Sequence, residues 1–253
     1  MTAPDIDQAC VANHGVELTW HNENTFSLSF DASLSLVLTQ MISAIQLSVS
    51  QQFSAYILEC IPSYNALMIV VDCMSITPDV LAEKIMQSLS GDVLLSAQQQ
   101  SLNKTVLTIP VWYHLDVGPD LQMLARSAGL TIDEVIALHT QKTYTVCALG
   151  FAPGFPYLGF VDSRIAMPRL ATPRHSVAAG SVGIADNQTG IYPSLSPGGW
   201  NIIGRTPQVC FDIHRPAAQA SIFAVGQRVR FESVSRETYE ALCCNLSEKG
   251  RLN

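Results

Sequence analysis

Between Gly150 and Pro207 the chain reads GFAPGFPYLGF and, after a short gap, PRLATPRHSVAAGSVGIADNQTGIYPSLSPGGWNIIGRTP. Guanidinium groups (Arg169, Arg174, Arg205) alternate there with amides and hydroxyls (Gln188, Thr189, Ser196, Asn201) and with aromatic rings (Phe151, Phe155, Tyr157, Tyr192, Trp200). An arginine offers a planar fork of donors that matches a carboxylate or a phosphate. Aromatic faces with a few fixed polar groups are what small-ligand sites are made of. The pattern therefore suits a wall that binds a small polar or anionic ligand, or a surface that docks a partner. Arg205, Gln188 and His175 are the candidates for catalytic contact, His175 being the one histidine in the segment that fits acid-base work. Phe155, Tyr157, Arg174, Thr189, Tyr192, Ser196, Gly198, Gly199 and Trp200 are the candidates for substrate binding. The competing readings are structural: a buried hairpin corner for the aromatic run, and an Arg205 spent on Asp212 or on turn carbonyls.

The segment must be held in shape to do any of this. It contains nine of the 15 glycines and seven of the 13 prolines, residues that open positive φ or fix φ and remove a donor. Several other chemistries lack their residues. There is no GxxxxGK[ST] or GxGxxG phosphate loop and no GxSxG elbow, Ser181 in AGSVG being only superficially similar. No HExxH and no histidine pair at i, i+4 is present, so no metal site is expected. The seven cysteines form no CxxC; Cys60, Cys73, Cys147 and Cys210 sit in apolar runs and read as small buried hydrophobes.

Composition sets the frame. The 253 residues are 48% hydrophobic and 14% charged, with net charge −7. That is ample core for one or two domains, with an unusually neutral surface. No Lys/Arg run occurs, which argues against nucleic acid. The opening MTAPDIDQAC lacks the basic and apolar parts of a signal peptide, and the apolar stretch from Ser33 to Phe53 is too interrupted to span a membrane. A cytoplasmic location without membrane contact is expected.

Strand-like alternation over 17–30 is followed by apolar residues at spacings of three and four from Leu34 to Val49. This predicts a strand and then a helix of about 16 residues capped by Asp31 or Ser33. Strands over 55–61 and 66–72 and a helix from Thr77 to about Leu89 complete a β-α-β-β-α order. The expectation is an α+β fold: a small α+β sandwich over 15–92 and a polar linker at 93–104. A β-rich barrel or sandwich follows over 105–235, then a polar tail at 236–253. Within the second unit, Asp120 to Ala128 reads as a short helix closed by Gly129, and Thr131 to Glu134 as a capping box opening another. Further strands are expected in YTVCALGF, GSVGIA, GIYP, WNIIG, VCFDI and RVRFESV.

The long runs GFAPGFPYLG and AAGSVGIADNQTGIYPSLSPGGWNIIGRTP, with the Pro168-Arg169 and Pro173-Arg174 pairs, resemble the KipI/PxpB-like family, which includes the B-type component of 5-oxoprolinase and allophanate hydrolase subunit one. The likeness extends to GPDL (118–121), TIDEVIALH (131–139), GQRVRF (226–231) and, more loosely, PSYNALMIVVD (62–72). Ala179 stands where the family has Pro, ADNQTG lacks the usual glycines, and His114 to Val117 replaces a Gly-rich stretch. The resemblance implies a cyclophilin-like β-barrel for the second unit. It implies a KipA/PxpC-like partner and a PxpA-like lactam-cleaving subunit. It also implies ATP with Mg shared among them, in a complex that opens 5-oxo-L-proline to L-glutamate. With no complete catalytic constellation or nucleotide loop in its own sequence, this chain alone is expected to be nearly inactive. Related domains transfer a carboxyl group from biotin to a urea-type amide, and other relatives inhibit a histidine kinase; both remain alternatives.

Overall fold

The computed structural model describes residues 15–31, 35–89 and 105–251. The chain forms two compact units, residues 1–104 and 105–253. The expected linker at 93–104 lies outside the described residues.

The first unit carries β1 (Val16–Asn22), β2 (Thr25–Phe30), helix α1 (Leu36–Gln52), β3 (Ile57–Ser63), β4 (Ala66–Val71) and helix α2 (Pro78–Ser88). Its strands pair antiparallel in the order β1-β2-β4-β3. Period-two patterning sends Phe26, Leu28, Phe30, Leu67, Ile69 and Val71 to one face. Ile42, Ile45 and Val49 of α1 and Leu81 and Ile85 of α2 pack in the same core. The single strand expected over 17–30 is instead a hairpin: the Asn22 side chain accepts from the Asn24 N–H at 3.0 Å, which turns the chain. The cap of α1 is Ser35, whose hydroxyl accepts from the Leu38 N–H at 3.2 Å, rather than Asp31 or Ser33; Ser33 lies outside the described residues.

The second unit contains β5 (Leu107–Val111), α3 (Leu121–Ala128), α4 (Ile132–Gln141), β6 (Thr143–Leu149), β7 (Pro156–Gly159), β8 (Arg174–Val177), β9 (Ser181–Ala185), β10 (Gln188–Ile191), β11 (Ser196–Gly198), β12 (Asn201–Arg205), the short α5 (Ala217–Ala220), β13 (Arg228–Ser233) and α6 (Arg236–Arg251). The strand path runs β5-β13-β6-β7-β10-β9-β12, antiparallel except for the parallel β5–β13 pair. Its two ends meet at one isolated bridge: Trp112 N–H donates to the Arg205 carbonyl at 2.8 Å, and Arg205 N–H to the Trp112 carbonyl at 3.0 Å. β8 and β11 form a separate two-stranded ribbon. The capping box at Thr131 and the left-handed Gly129 end of α3 occur as the sequence indicates. VCFDI is not a strand; its chain is diverted by an Asp212 turn, and only Phe211 bridges Ser221. Within the tail, Arg236–Arg251 forms a helix. Cys147 and Cys210 are buried, but Cys73 is exposed, because it follows β4 into a turn. No described helix is long and apolar enough to cross a membrane.

A directed chain of hydrogen bonds crosses the core of this unit. The Thr189 hydroxyl donates to the Gly183 carbonyl at 2.9 Å, so it accepts from His139 Nε2–H at 2.9 Å. That leaves His139 Nδ1 as the acceptor for the Tyr113 hydroxyl at 2.7 Å. The chain of bonds fastens α4 to β10 and to the residue that follows Trp112. Burial holds the imidazole neutral, its pKa lowered to about 3. The folded value lies below the ordinary 6.5, so the unfolded chain takes up the proton first. Stability from this group is complete above pH 6.5 and is lost as pH falls toward 3. In urea titrations from about pH 7 to about pH 5, His139→Asn should cost about 1–3 kcal/mol at neutral pH. It should also remove about 1.4 kcal/mol per pH unit from the acid slope.

Candidate functional site

An open groove of about 260 Å³ lies at the rim where β12, β9 and the β8–β11 ribbon meet the loop before α3. Asp116, Val117 and Pro119 line it from the loop, Arg174, Ser176, Val177 and Ala178 from β8 and its exit, and Ser181, Ile202 and Arg205 from β9 and β12.

Asp120 fixes this arrangement. One carboxylate oxygen accepts from Arg174 Nη2 at 2.6 Å, and the other from the Ile202 N–H at 2.7 Å. The Asp120 N–H donates in turn to the Ile202 carbonyl at 3.0 Å. With its carboxylate so engaged, Asp120 caps α3 by position only, without a side-chain cap bond. The loop can approach this closely because residue 118 is glycine; a Cβ there would collide with the Ile203 carbonyl. Arg174 Nη1 reaches the Trp200 carbonyl at 3.4 Å, so the guanidinium spans from the loop to the start of β12. Asp120 is 6% exposed while the Arg174 side chain is 31% exposed, so the pair is desolvated on its carboxylate side, with both oxygens satisfied.

Arg205 is held differently. Its Nε donates to the Ala179 carbonyl at 3.0 Å, and its backbone is bridged to Trp112. Asp212 pairs with Arg215 instead. The turn carbonyl is therefore its neighbour, and among the described residues Arg205 forms no ion pair with a carboxylate. Arg205 thus faces the groove without a salt-bridged carboxylate, in a lining that also holds Asp116.

His175 follows Arg174 on a strand, so it points to the opposite face from Arg174 and Ser176 and is exposed. Gln188 pairs with Ala185 at one end of β9, whereas Arg205 pairs with Ser181 at the other. About four strand residues separate them, or about 13 Å. Thr189 is fully buried with its hydroxyl spent on His139 and Gly183. Phe155, Tyr192 and Trp200 are buried together with Val177 and Ile202, and Tyr157 packs on them half-buried. Their rings meet edge to face at centroid distances of 5.3 and 5.4 Å. They form a small core behind the ribbon rather than the lining of the groove. Gly198 serves that core: a Cβ would strike the Tyr192 ring. Gly199 has room for one, its nearest neighbour being Pro173 at 3.6 Å, and its carbonyl accepts from Leu170 N–H at 2.7 Å. Ser196 bonds to the nearby Ser194 carbonyl at 3.4 Å. Burial pushes the Cys60 thiol up to about 11 and that of Cys210 to about 12, the opposite of an activated nucleophile. Sequence reasoning missed Asp120; its signal was the GPDL run, where a carboxylate follows Gly-Pro at a helix start.

The sequence model of the family described as "Carboxyltransferase domain, subdomain C and D" matches residues 16–221, a span that holds every residue of this groove. The chain belongs to this family. A Bacillus subtilis protein named as the B-type component of 5-oxoprolinase is 39% identical over 198 residues, covering 76% of this chain and 81% of that protein. The crystal structure of TTHA0988 superposes with a TM-score of 0.71 at 32% identity, over 83% of this chain and 40% of that one. The Kluyveromyces lactis urea carboxylase shares the fold at 16% identity and a TM-score of 0.63, over 89% of this chain and 22% of that one.

Removing Asp120 tests the framework independently of any ligand. Asp120→Ala leaves Arg174 and the Ile202 N–H without their acceptor and should cost about 3–5 kcal/mol in urea unfolding. Asp120→Asn keeps one acceptor oxygen and should recover part of that loss.

Proposed function

We propose that this carboxyltransferase-family chain is the B-type component of an ATP-dependent 5-oxoprolinase, and that its groove receives 5-oxo-L-proline or the carboxylate face of the reacting lactam. The observation that carries the reading is the pair of arginines in one small groove, Arg174 neutralised by Asp120 and Arg205 left with its charge free. The relatives named as B-type components of 5-oxoprolinase support the same substrate. In this reading Arg205 binds the substrate carboxylate through its remaining donors, and Ser176 and Ser181 contact the lactam amide. Arg174 and the Phe155–Tyr192–Trp200 core keep the ribbon in position. Ring opening breaks the lactam C–N bond, adds water at the carbonyl carbon and leaves the nitrogen as the amine of L-glutamate.

The groove suits a small ligand better than a nucleotide. Its 260 Å³ falls below the roughly 300–1,000 Å³ of sites for drug-sized ligands, whereas a five-membered lactam is smaller. ATP with Mg belongs, in this proposal, to the complex formed with KipA/PxpC-like and PxpA-like subunits in the cytoplasm. A barrel-like closure of the second unit is part of the same reading, supported by the Trp112–Arg205 bridge that ties Arg205 to the opposite end of the strand path.

The family's own description favours one second reading, carboxyl transfer to an amide nitrogen. It predicts bicarbonate-dependent turnover with a biotin carrier and no glutamate release.

Hydrolysis of ATP that depends on 5-oxo-L-proline, with glutamate release, should appear only when this chain is mixed with both partner subunits. Arg205→Ala should lower kcat/KM of that mixture by about 100-fold, or about 2.7 kcal/mol, with the chain still folded. Full activity of the folded variant would remove Arg205 from the site.

A further inference from the structure

The loop from Trp112 to Asp120 is an arch pinned to β12 at both ends. Trp112 is bridged to Arg205 by two backbone bonds, and Asp120 is tied to Ile202 by its carboxylate and its N–H. Between these anchors the chain turns tightly: the Val117 and Gly118 N–H groups both donate to the His114 carbonyl, at 3.1 and 2.7 Å. The His114 ring stacks on Trp112 at 5.3 Å with the planes 10° apart. Asp116 stands midway along the arch and lines the groove together with Arg205. Its carboxylate has no hydrogen-bonded cation. The Asp116 N–H donates to His114 Nδ1 at 3.2 Å, so that nitrogen presents a lone pair. It therefore donates nothing to Asp116 Oδ2, 3.3 Å away. Arg236, which attracts Asp116 from a longer distance, is itself paired with Glu240 at 2.8 Å. Among the described residues Asp116 and Arg205 form no ion pair with each other. The groove thus offers a guanidinium from β12 and a carboxylate from the arch, each without an opposite charge bonded to it.

We infer that Asp116 is a specificity-determining residue of the groove: it accepts the lactam N–H and turns away cyclic carboxylates that carry no donor at that position. In 5-oxo-L-proline the carbon bearing the carboxylate is bonded directly to the ring N–H. An anion and a hydrogen-bond donor therefore stand on neighbouring atoms, and Arg205 and Asp116 are the matching opposite pair. The Ser176 and Ser181 hydroxyls can donate to the ring carbonyl, which a carboxylate, an acceptor only, cannot do. Facing an N–H, Asp116 gains a charge-assisted bond. Facing a CH2, it gains nothing and repels the ligand's own carboxylate, so the same group attracts one ligand and rejects its isostere. The pinned arch holds Asp116 in place before the ligand arrives. The Asp116 side chain is 64% exposed, so water weakens the effect relative to a buried site. The inference rests on the reading of the groove as the lactam site.

The test compares two ligands in the three-subunit, 5-oxo-L-proline-dependent ATPase. One is 5-oxo-L-proline itself, read through its KM. The other is 3-oxocyclopentane-1-carboxylate, the isostere with CH2 in place of the ring N–H, read through its inhibition constant. Wild type, Asp116→Asn and Asp116→Ala are measured, with urea unfolding as the check that each variant is folded. The ratio of KM to inhibition constant should rise about tenfold in Asp116→Ala, as the lactam loses its acceptor and the isostere loses its repulsion. Asp116→Asn keeps a neutral acceptor and should fall between. A solvated surface charge would move both ligands equally or neither, so an unchanged ratio overturns the inference. Failure of the isostere to inhibit the Asp116→Ala mixture overturns it too, since the group held to exclude that ligand is then gone. If Arg205→Ala is itself silent, the groove reading falls and this inference with it; if Arg205→Ala is impaired and Asp116→Ala leaves the ratio unmoved, only this inference falls.

Discussion

One buried carboxylate organises the second unit's site. Asp120 accepts from Ile202 of β12 and from Arg174 of β8, and so binds three pieces of chain that no common ladder joins. The β8–β11 ribbon stands outside the main strand path. Its attachment comes from this ion pair on one side and from the aromatic core of Phe155, Tyr192 and Trp200 on the other. A desolvated ion pair contributes little net stability compared with apolar packing, yet its geometry allows few alternatives. Asp120 therefore acts on register: it determines where Arg174 stops and how far Ser176 and Val177 stand from Arg205.

Two arginines in one groove behave oppositely because of their acceptors. Arg174 faces a carboxylate and is electrically spent; Arg205 faces a neutral carbonyl and keeps its charge. In the proposed reading, a site built from one spent and one free guanidinium holds an anion at a single point, with the other wall rigid. The fold does not dictate that outcome, since the urea carboxylase shares it at 16% identity and function resides in the site.

Much of this was legible in the sequence where local rules dominate. The capping box at Thr131, the Gly129 helix end and the α1 periodicity state their own geometry. The Gly/Pro-dense segment contributes Arg174 and Arg205 to the lining of the groove. Composition could not tell which aromatic rings face a ligand and which face one another. Phe155, Tyr192 and Trp200 look alike as wall or as core, and only the strand register, with Gly198 making room for Tyr192, settles that they pack together. Gln188 and Arg205 are 17 residues apart in sequence but at opposite ends of β9, a separation that depends on pairing between strands. Thr189 and His139 face the core for the same reason. The GPDL run marked Asp120 as a helix start but not as a tie, because its partners lie 54 and 82 residues away.

The most direct measurement is a crystal structure of the assembled complex soaked with 5-oxo-L-proline. Ligand density is expected in this groove, with the carboxylate on Arg205 and the lactam ring between Ser176 and Ser181. Clear ligand density elsewhere, with the groove holding only solvent, would contradict the assignment of Arg205 as the anion-binding group.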